Sequence, residues 1–127
     1  MNLLVDTHAL LWWWAANDRL SRRAHTALRS PANRIYVSAA VGWELAIKVN
    51  LGKLDARHVL ADFPAILFDS GFKRLAIAMD HALRAGMLPR HHNDPFDRML
   101  VAQAQALGFP IISADATFDQ YGIERIW

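Results

Sequence analysis

Two kinds of apolar segment alternate along the chain. Short runs rich in branched and aromatic side chains occupy Asn2–Val5, Arg34–Val37, Arg74–Ala78, Phe109–Ser113 and Glu124–Trp127. Runs of this length and composition predict strands. Between them lie longer stretches with helical spacing at residues 8–16, 21–29, 39–50, 58–70, 80–87 and 95–107. Such alternation predicts an α/β fold, with a parallel sheet covered by helices on both faces.

Local punctuation supports these elements. Thr7 can cap a helix starting at His8, Ser38 can cap the next long helix, and Gly52 can end that helix. Asp94-Pro95 is a helix start, with Asp94 as cap and Pro95 in the first turn. Gly108 then closes the helix and Pro110 leads into a strand. Trp12, Trp13 and Trp14 are consecutive, so helical geometry spreads them about 100° apart and at least one is expected at the surface. Core packing is their default role, and a partner interface the sharper one.

Composition narrows the class. At 127 residues one domain is expected, spanning 1–127. Hydrophobic residues make up 54% and charged residues 20%, which implies a large core or an apolar surface that expects a partner. The absence of cysteine removes disulfides and thiolate metal sites and fits a cytoplasmic location. No secretory signal is visible, and LLWWWAA is too short to span a bilayer, so no membrane association is expected. The net charge of +2 permits an acidic partner without requiring one.

Candidate chemistry lies in four carboxylates remote in sequence. Asp6 follows LLV, Glu44 lies inside AAVGWELAI, Asp97 inside PFDRMLVA, and Asp115 follows PIIS. Asp6 and Asp115 fall just after strands, where open α/β sheets form their crevice. Each has an ordinary alternative: a helix cap for Asp6, an i, i+4 pair with Lys48 for Glu44, the helix dipole for Asp97, and a turn for Asp115. Glu44 shares a helix face with Ala40, Ile47 and Leu51, so it interrupts an apolar stripe. Asp119 reads equally as a supporting acid or a solvated loop residue. Acids gathered in one cleft repel one another, and a hard divalent cation resolves this by taking oxygen ligands. The set points to metal-dependent phosphodiester cleavage.

The segments LLVDTHALLWW, IYVSAAVGWELAIKVNLGKL, DPFDRMLVAQAQALGFPIISAD and FDQYGIERIW make the chain resemble the PIN-domain nucleases, and among them the VapC-like toxins of type II toxin–antitoxin systems. The resemblance implies a three-layer α/β/α fold around a parallel sheet of about five strands. It implies an endoribonuclease that uses Mg²⁺, with Mn²⁺ able to substitute. Its acidic quartet falls on Asp6, Glu44, Asp97 and Asp115, with Asp6 and Asp97 as the principal metal ligands. A cognate antitoxin that neutralises the toxin and a homodimer are the implied partners. Asp94 matches a subgroup pattern, DPFDR, without an assigned role.

Other residues carry weaker signals. His91 and His92 precede DPFDR without the further ligands of a transition-metal site, so a loop is expected, and His8 reads as packing or solvent-exposed. Arg98, Lys48, Lys53 and Arg90 can supply phosphate contacts, with solvated surface charge as the alternative. RNA is expected to enter as a single strand or loop. Two rival enzyme classes fail. A haloacid-dehalogenase-like site needs a second Asp where His8 stands, and a receiver domain needs an acidic pair and a late Lys. A degenerate, purely binding PIN fold would lack one of the acids, and all are present.

Overall fold

The computed structural model describes all residues, Met1–Trp127. Strands β1 (Asn2–Val5), β2 (Arg34–Ser38), β3 (Lys73–Leu75), β4 (Ile111–Ile112) and β5 (Arg125–Ile126) form one sheet in the order β3-β2-β1-β4-β5. Every pairing is parallel, and Leu4 stands between Tyr36 and Ile111. The helices are α1 (Thr7–Trp14), α2 (Arg22–Arg29), α3 (Ala39–Asn50), α4 (Arg57–Ala61), α5 (Phe63–Asp69), α6 (Met79–Met87) and α7 (Pro95–Leu107). They cover the sheet as the outer layers of an α/β/α sandwich. Helix cover on both faces explains why Leu3, Leu4 and Val5 of the central strand have no exposed surface.

The strand order sets the location of the crevice. The chain moves outward from β1 through β2 to β3, then returns to lay β4 and β5 on the other side of β1. The reversal falls between β1 and β4, and in open parallel sheets the cleft opens beyond the carboxyl ends of strands at such a point. Asp6 and Ser113 are the first residues past those two strands.

Several boundaries differ from expectation for identifiable reasons. The helix expected over 58–70 is two, broken at Asp62, with Pro64 in the first turn of α5. Proline has no N–H for an interior helix bond, so its place is at a helix start. The three late strands are shorter than their apolar runs, and residues Ala116–Tyr121 add a 3₁₀ helix. On α3 the buried face carries Ala40, Val41, Glu44, Leu45 and Val49, while Leu51 lies outside the helix and is exposed. The expected partnership of Glu44 with Ile47 and Leu51 is therefore rotated by about one residue.

None of the three consecutive tryptophans is fully exposed. Each finds its own neighbour: Trp12 packs on His8 and Trp127, Trp13 on His25 and Phe72, and Trp14 on Phe63. Helices α2 and α5 and the chain end wrap α1 on several sides, so a spread of directions does not leave a ring in solvent. The exposed tryptophan is Trp43 of α3.

Helix α7 carries the expected signals in the expected places. Asp94 accepts from the backbone N–H of Phe96 at 2.8 Å, Pro95 follows it, and Gly108 ends the helix at φ +68°. No side chain or backbone atom crowds a Cβ at Gly108, so only its left-handed backbone demands glycine. Gly108→Ala is expected to cost about 1 kcal/mol and Gly108→Asn less, read as a lower urea midpoint at unchanged slope.

Candidate active site

The end of β1 places the first acid. The Asp6 backbone N–H donates to Ile112 O at 3.1 Å, which carries the parallel ladder one step past the strand. Its carboxylate is thereby held at the rim between β1 and β4. Oδ1 accepts from Ala9 N at 2.8 Å and Oδ2 from Ser113 Oγ at 2.5 Å. Asp6, not Thr7, is therefore the cap of α1. Thr7 instead turns its hydroxyl to Glu44, donating to Oε1 at 2.5 Å. Either side chain can cap a helix, and the buried Glu44 is the acceptor that decides between them.

Glu44 makes the expected i, i+4 pair with Lys48, but from a buried position rather than at the surface. It is buried on α3, and its Oε2 accepts from Lys48 Nζ at 2.7 Å. Lys48 is thus committed to an acid of the site rather than free for phosphate. Asp115 also has two tasks. Oδ1 accepts from Thr117 N at 2.9 Å to start the 3₁₀ helix, and Oδ2 accepts from His92 Nε2 at 2.9 Å.

Asp97 differs from the other three. It sits in the first turn of α7, and no hydrogen-bond donor reaches its carboxylate. Its pKa is pushed up to about 7, first by burial, then by Asp94, with Glu44 and Asp6 adding repulsion and His92 opposing. These contributions place Asp6, Glu44 and Asp97 in one electrostatic field. Asp6 is also raised, first by burial, although Ser113, Ala9 and the charge of His8 pull the other way. For Asp115 burial acts upward, but the His92 and Thr117 hydrogen bonds outweigh it and hold its pKa below the usual value.

One hydrogen-bond network joins Asp6 to Asp115. Ser113 Oγ donates to Asp6 and accepts from the Asp115 backbone N–H at 3.0 Å. From Asp115 it continues to His92, whose ligand nitrogen lies with carboxylate oxygens of Asp97 and Asp115 inside a mutual 4.8 Å. Asp97 and Asp115 are thus brought within ligand distance of each other together with His92, while Asp6 and Glu44 lie outside that group and act on Asp97 through their charge.

Three residues of this rim were not expected: Thr7 as a partner of Glu44, Ser113, and above all His92. His92 lies in the expected loop, but it is buried. Its ring stacks parallel to Tyr121 at 5.5 Å and its backbone N–H donates to Tyr121 Oη at 2.8 Å. Arg98 fixes the same loop by donating to the carbonyls of Leu88, Pro89 and His92 at 2.9, 3.1 and 3.2 Å. Arg98 is thus a clamp on the loop, not a phosphate contact. The signal available in sequence was a histidine two residues before a capped helix start, which does not reveal Asp115 as its partner. Asp119 stands apart from the rim and pairs with Arg125 at 2.9 Å, while Asp94 caps α7. Lys53, Arg90, His8 and His91 are exposed.

The donor set suits a hard divalent cation. It is dominated by carboxylate oxygens, and Asp97 lacks any donor that would compete with a metal. Ionising Asp97 beside two other acids is costly until a cation arrives, so metal and proton compete for it.

A family model described as PIN domain matches residues 3–124. Comparison with curated protein sequences gives no match. Among solved structures, the chain is similar to VapBC2 from Rickettsia felis bound to a DNA fragment from their promoter, at TM-score 0.70 and 14% identity over 100% of both chains. It is similar to a toxin–antitoxin complex from Klebsiella pneumoniae at TM-score 0.60 and 22% identity, over 89% of this chain and 86% of that one. A third neighbour is VapBC-5 from Mycobacterium tuberculosis, a member of the VapBC family of toxin–antitoxin systems, at TM-score 0.61 and 17% identity over 98% and 97%. At these identities the structural likeness establishes the fold.

The raised Asp97 makes stability depend on pH in the metal-free chain. The folded state holds this proton more tightly than the unfolded chain, whose Asp titrates near 3.8. Its stabilising share is therefore complete below about pH 4 and lost as pH rises through about 7. With EDTA present, urea midpoints are expected to fall from pH 5 to pH 8, and Asp97→Asn to flatten that slope.

Proposed function

Because the chain belongs to the PIN-domain family, we propose that it is a VapC-like toxin, a Mg²⁺-dependent endoribonuclease neutralised by a cognate antitoxin, with residues 1–127 acting as one domain and as a homodimer. The observation that carries this reading is the acidic rim. Asp6, Glu44 and Asp97 share one field, Asp115 lies within ligand distance of Asp97, and Asp97 has no donor of its own. The toxin–antitoxin neighbours support the antitoxin as partner. No helix of the chain is long and apolar enough to cross a membrane.

Asp6 and Asp97 would hold the Mg²⁺, for which Mn²⁺ can substitute. A divalent ion in such a set supplies water activation and neutralisation of the phosphoryl oxygens. The chain's own residues do the positioning. Ser113 and the α1 backbone hold Asp6 in one rotamer, and Thr7 and Lys48 hold Glu44. His92 donates to Asp115 and keeps it ionised, so that its free edge can orient water at the reacting phosphate. Trp43 and Phe96 directly precede Glu44 and Asp97 and meet edge to face at 5.0 Å. Trp43 leaves most of its ring open beside the acids, which suits stacking of an unpaired base.

Three outcomes follow for a purified chain cutting a single-stranded RNA. Asp6→Asn/Asp97→Asn is expected to fold and to lose cleavage by at least roughly 100-fold. Full Mg²⁺-dependent activity in that variant would refute the assignment. His92→Ala is expected to weaken Mn²⁺ binding by about 10–100-fold in calorimetry, with His92→Gln retaining part of it. Trp43→Ala is expected to raise KM by roughly tenfold, equivalent to ~1.4 kcal/mol of lost stacking, with kcat little changed.

A further inference from the structure

Charge is unevenly spread along the chain. Between Asp18 and Glu44 it holds five arginines and no acid, although acids outnumber lysines and arginines in the remainder. Four of the five, Arg19, Arg22, Arg23 and Arg29, belong to α2 and the turn before it, and all four are exposed. None pairs with a carboxylate, whereas Arg125 is tied to Asp119 and Arg98 to backbone carbonyls. Arg22 and Arg23 also occupy the first turn of α2, where the helix dipole disfavours a cation. Local stability therefore does not account for them.

Three adjoining cavities connect this face to the acidic rim. The first, of about 590 Å³, has Lys48 and Lys53 on its wall, together with His8, which follows Asp6 closely in the chain. The second, of about 480 Å³, lies between α1 and α2, and Trp12 lines both. The third, of about 610 Å³, shares Arg22 with the second and adds Arg23, Thr26 and Ser30. Asp55 lines the first and Asp18 the second, but no acid lines the third. The positive potential thus rises with distance from the rim. Aromatic rings mark the same course. His8 and Trp12 lie 5.8 Å apart, as do Trp12 and Trp127. Trp13 and Trp14 pack against the hydrophobic core, whereas Trp12 gives its ring to the groove. Rings beside a basic groove suit a strand whose bases are unpaired, since a duplex buries the base faces. We propose that this groove is the track of the single-stranded RNA on one side of the cut, with Trp12 stacking a base and Arg22 and Arg23 pairing with phosphates. The inference rests on the ribonuclease reading above and adds to it the path of the substrate, with Trp43 serving the other side of the cut.

EDTA removes the divalent ion and with it cleavage, so fluorescence anisotropy of a labelled oligouridine then reads the groove apart from the reaction. RNA of about 16 nucleotides is expected to bind more tightly than RNA of about 4. Arg22→Glu/Arg23→Glu is expected to weaken binding of the longer RNA by at least roughly tenfold, and Arg22→Ala/Arg23→Ala to flatten the slope of log K against log salt by about 1.4. An acid is favoured in the first turn of a helix, so the Glu variant is expected to match the native chain in circular dichroism. Trp12→Ala is expected to cost roughly tenfold in affinity, with Trp12→Phe recovering part of it. With Mg²⁺ present, Arg22→Glu/Arg23→Glu should raise KM for the longer RNA at unchanged kcat and leave the shorter RNA unaffected. Longer-RNA binding and KM that ignore this variant, or tighter binding of duplex than of single strand, would overturn the track and leave the ribonuclease standing, with the arginine face left to an acidic segment of a protein partner. A native chain that neither binds nor cuts RNA would overturn both.

Discussion

The structure turns on one carboxylate without a partner. Asp97 stands half-buried in the first turn of α7, and no N–H or O–H reaches it. A buried acid ordinarily acquires donors or gives up its charge. Here the surroundings make ionisation harder, because burial is compounded by Asp94, Glu44 and Asp6. The other three acids of the rim are each held by donors from the chain: Asp6 by Ser113 and Ala9, Glu44 by Thr7 and Lys48, Asp115 by His92 and Thr117. The arrangement orients three acids and leaves one open, which is the electrostatic condition for capturing a cation rather than forming an internal ion pair.

The fold supplies this condition through topology. Reversal of strand order between β1 and β4 brings Asp6 and Ser113 together although they are 107 positions apart in the chain. Capping places the remaining groups. Ser38 starts α3 and so sets the phase at which Glu44 turns inward, and Asp94 does the same for Asp97 on α7. The same carboxylate that caps α7 also raises the proton affinity of Asp97, so helix initiation and site electrostatics are linked at one residue. Arg98, one residue later, ties the preceding loop to the helix and thereby sets His92 against Asp115.

Features decided by local chemistry were legible in the chain itself. The apolar run of β1 and the Asp94-Pro95 start of α7 are examples, since each depends on neighbours a few residues away. The four acids stand out in the sequence because each adjoins an apolar element. What could not be read were choices between equivalent local options that tertiary contacts settle. Thr7 and Asp6 are both competent caps, and only Glu44, 37 residues from Thr7, decides which one is used. His92 is a loop residue as expected, but its partner Asp115, 23 positions away, has no local signal. The tryptophans of α1 illustrate the same limit, because helical phase gives their directions and not what waits in each. The break at Asp62 is a different case: Pro64 marks a helix start locally, while the apolar spacing continues across it.

The central claim is that these acids meet around a divalent cation with Asp97 as a direct ligand. Anomalous diffraction from a crystal soaked in Mn²⁺ at neutral pH tests it most directly. The account predicts one dominant peak bonded to a carboxylate oxygen of Asp97, with Asp6 in the same coordination sphere. A dominant peak elsewhere, such as at Asp119, with the Asp97 carboxyl left protonated and unbound, would contradict it.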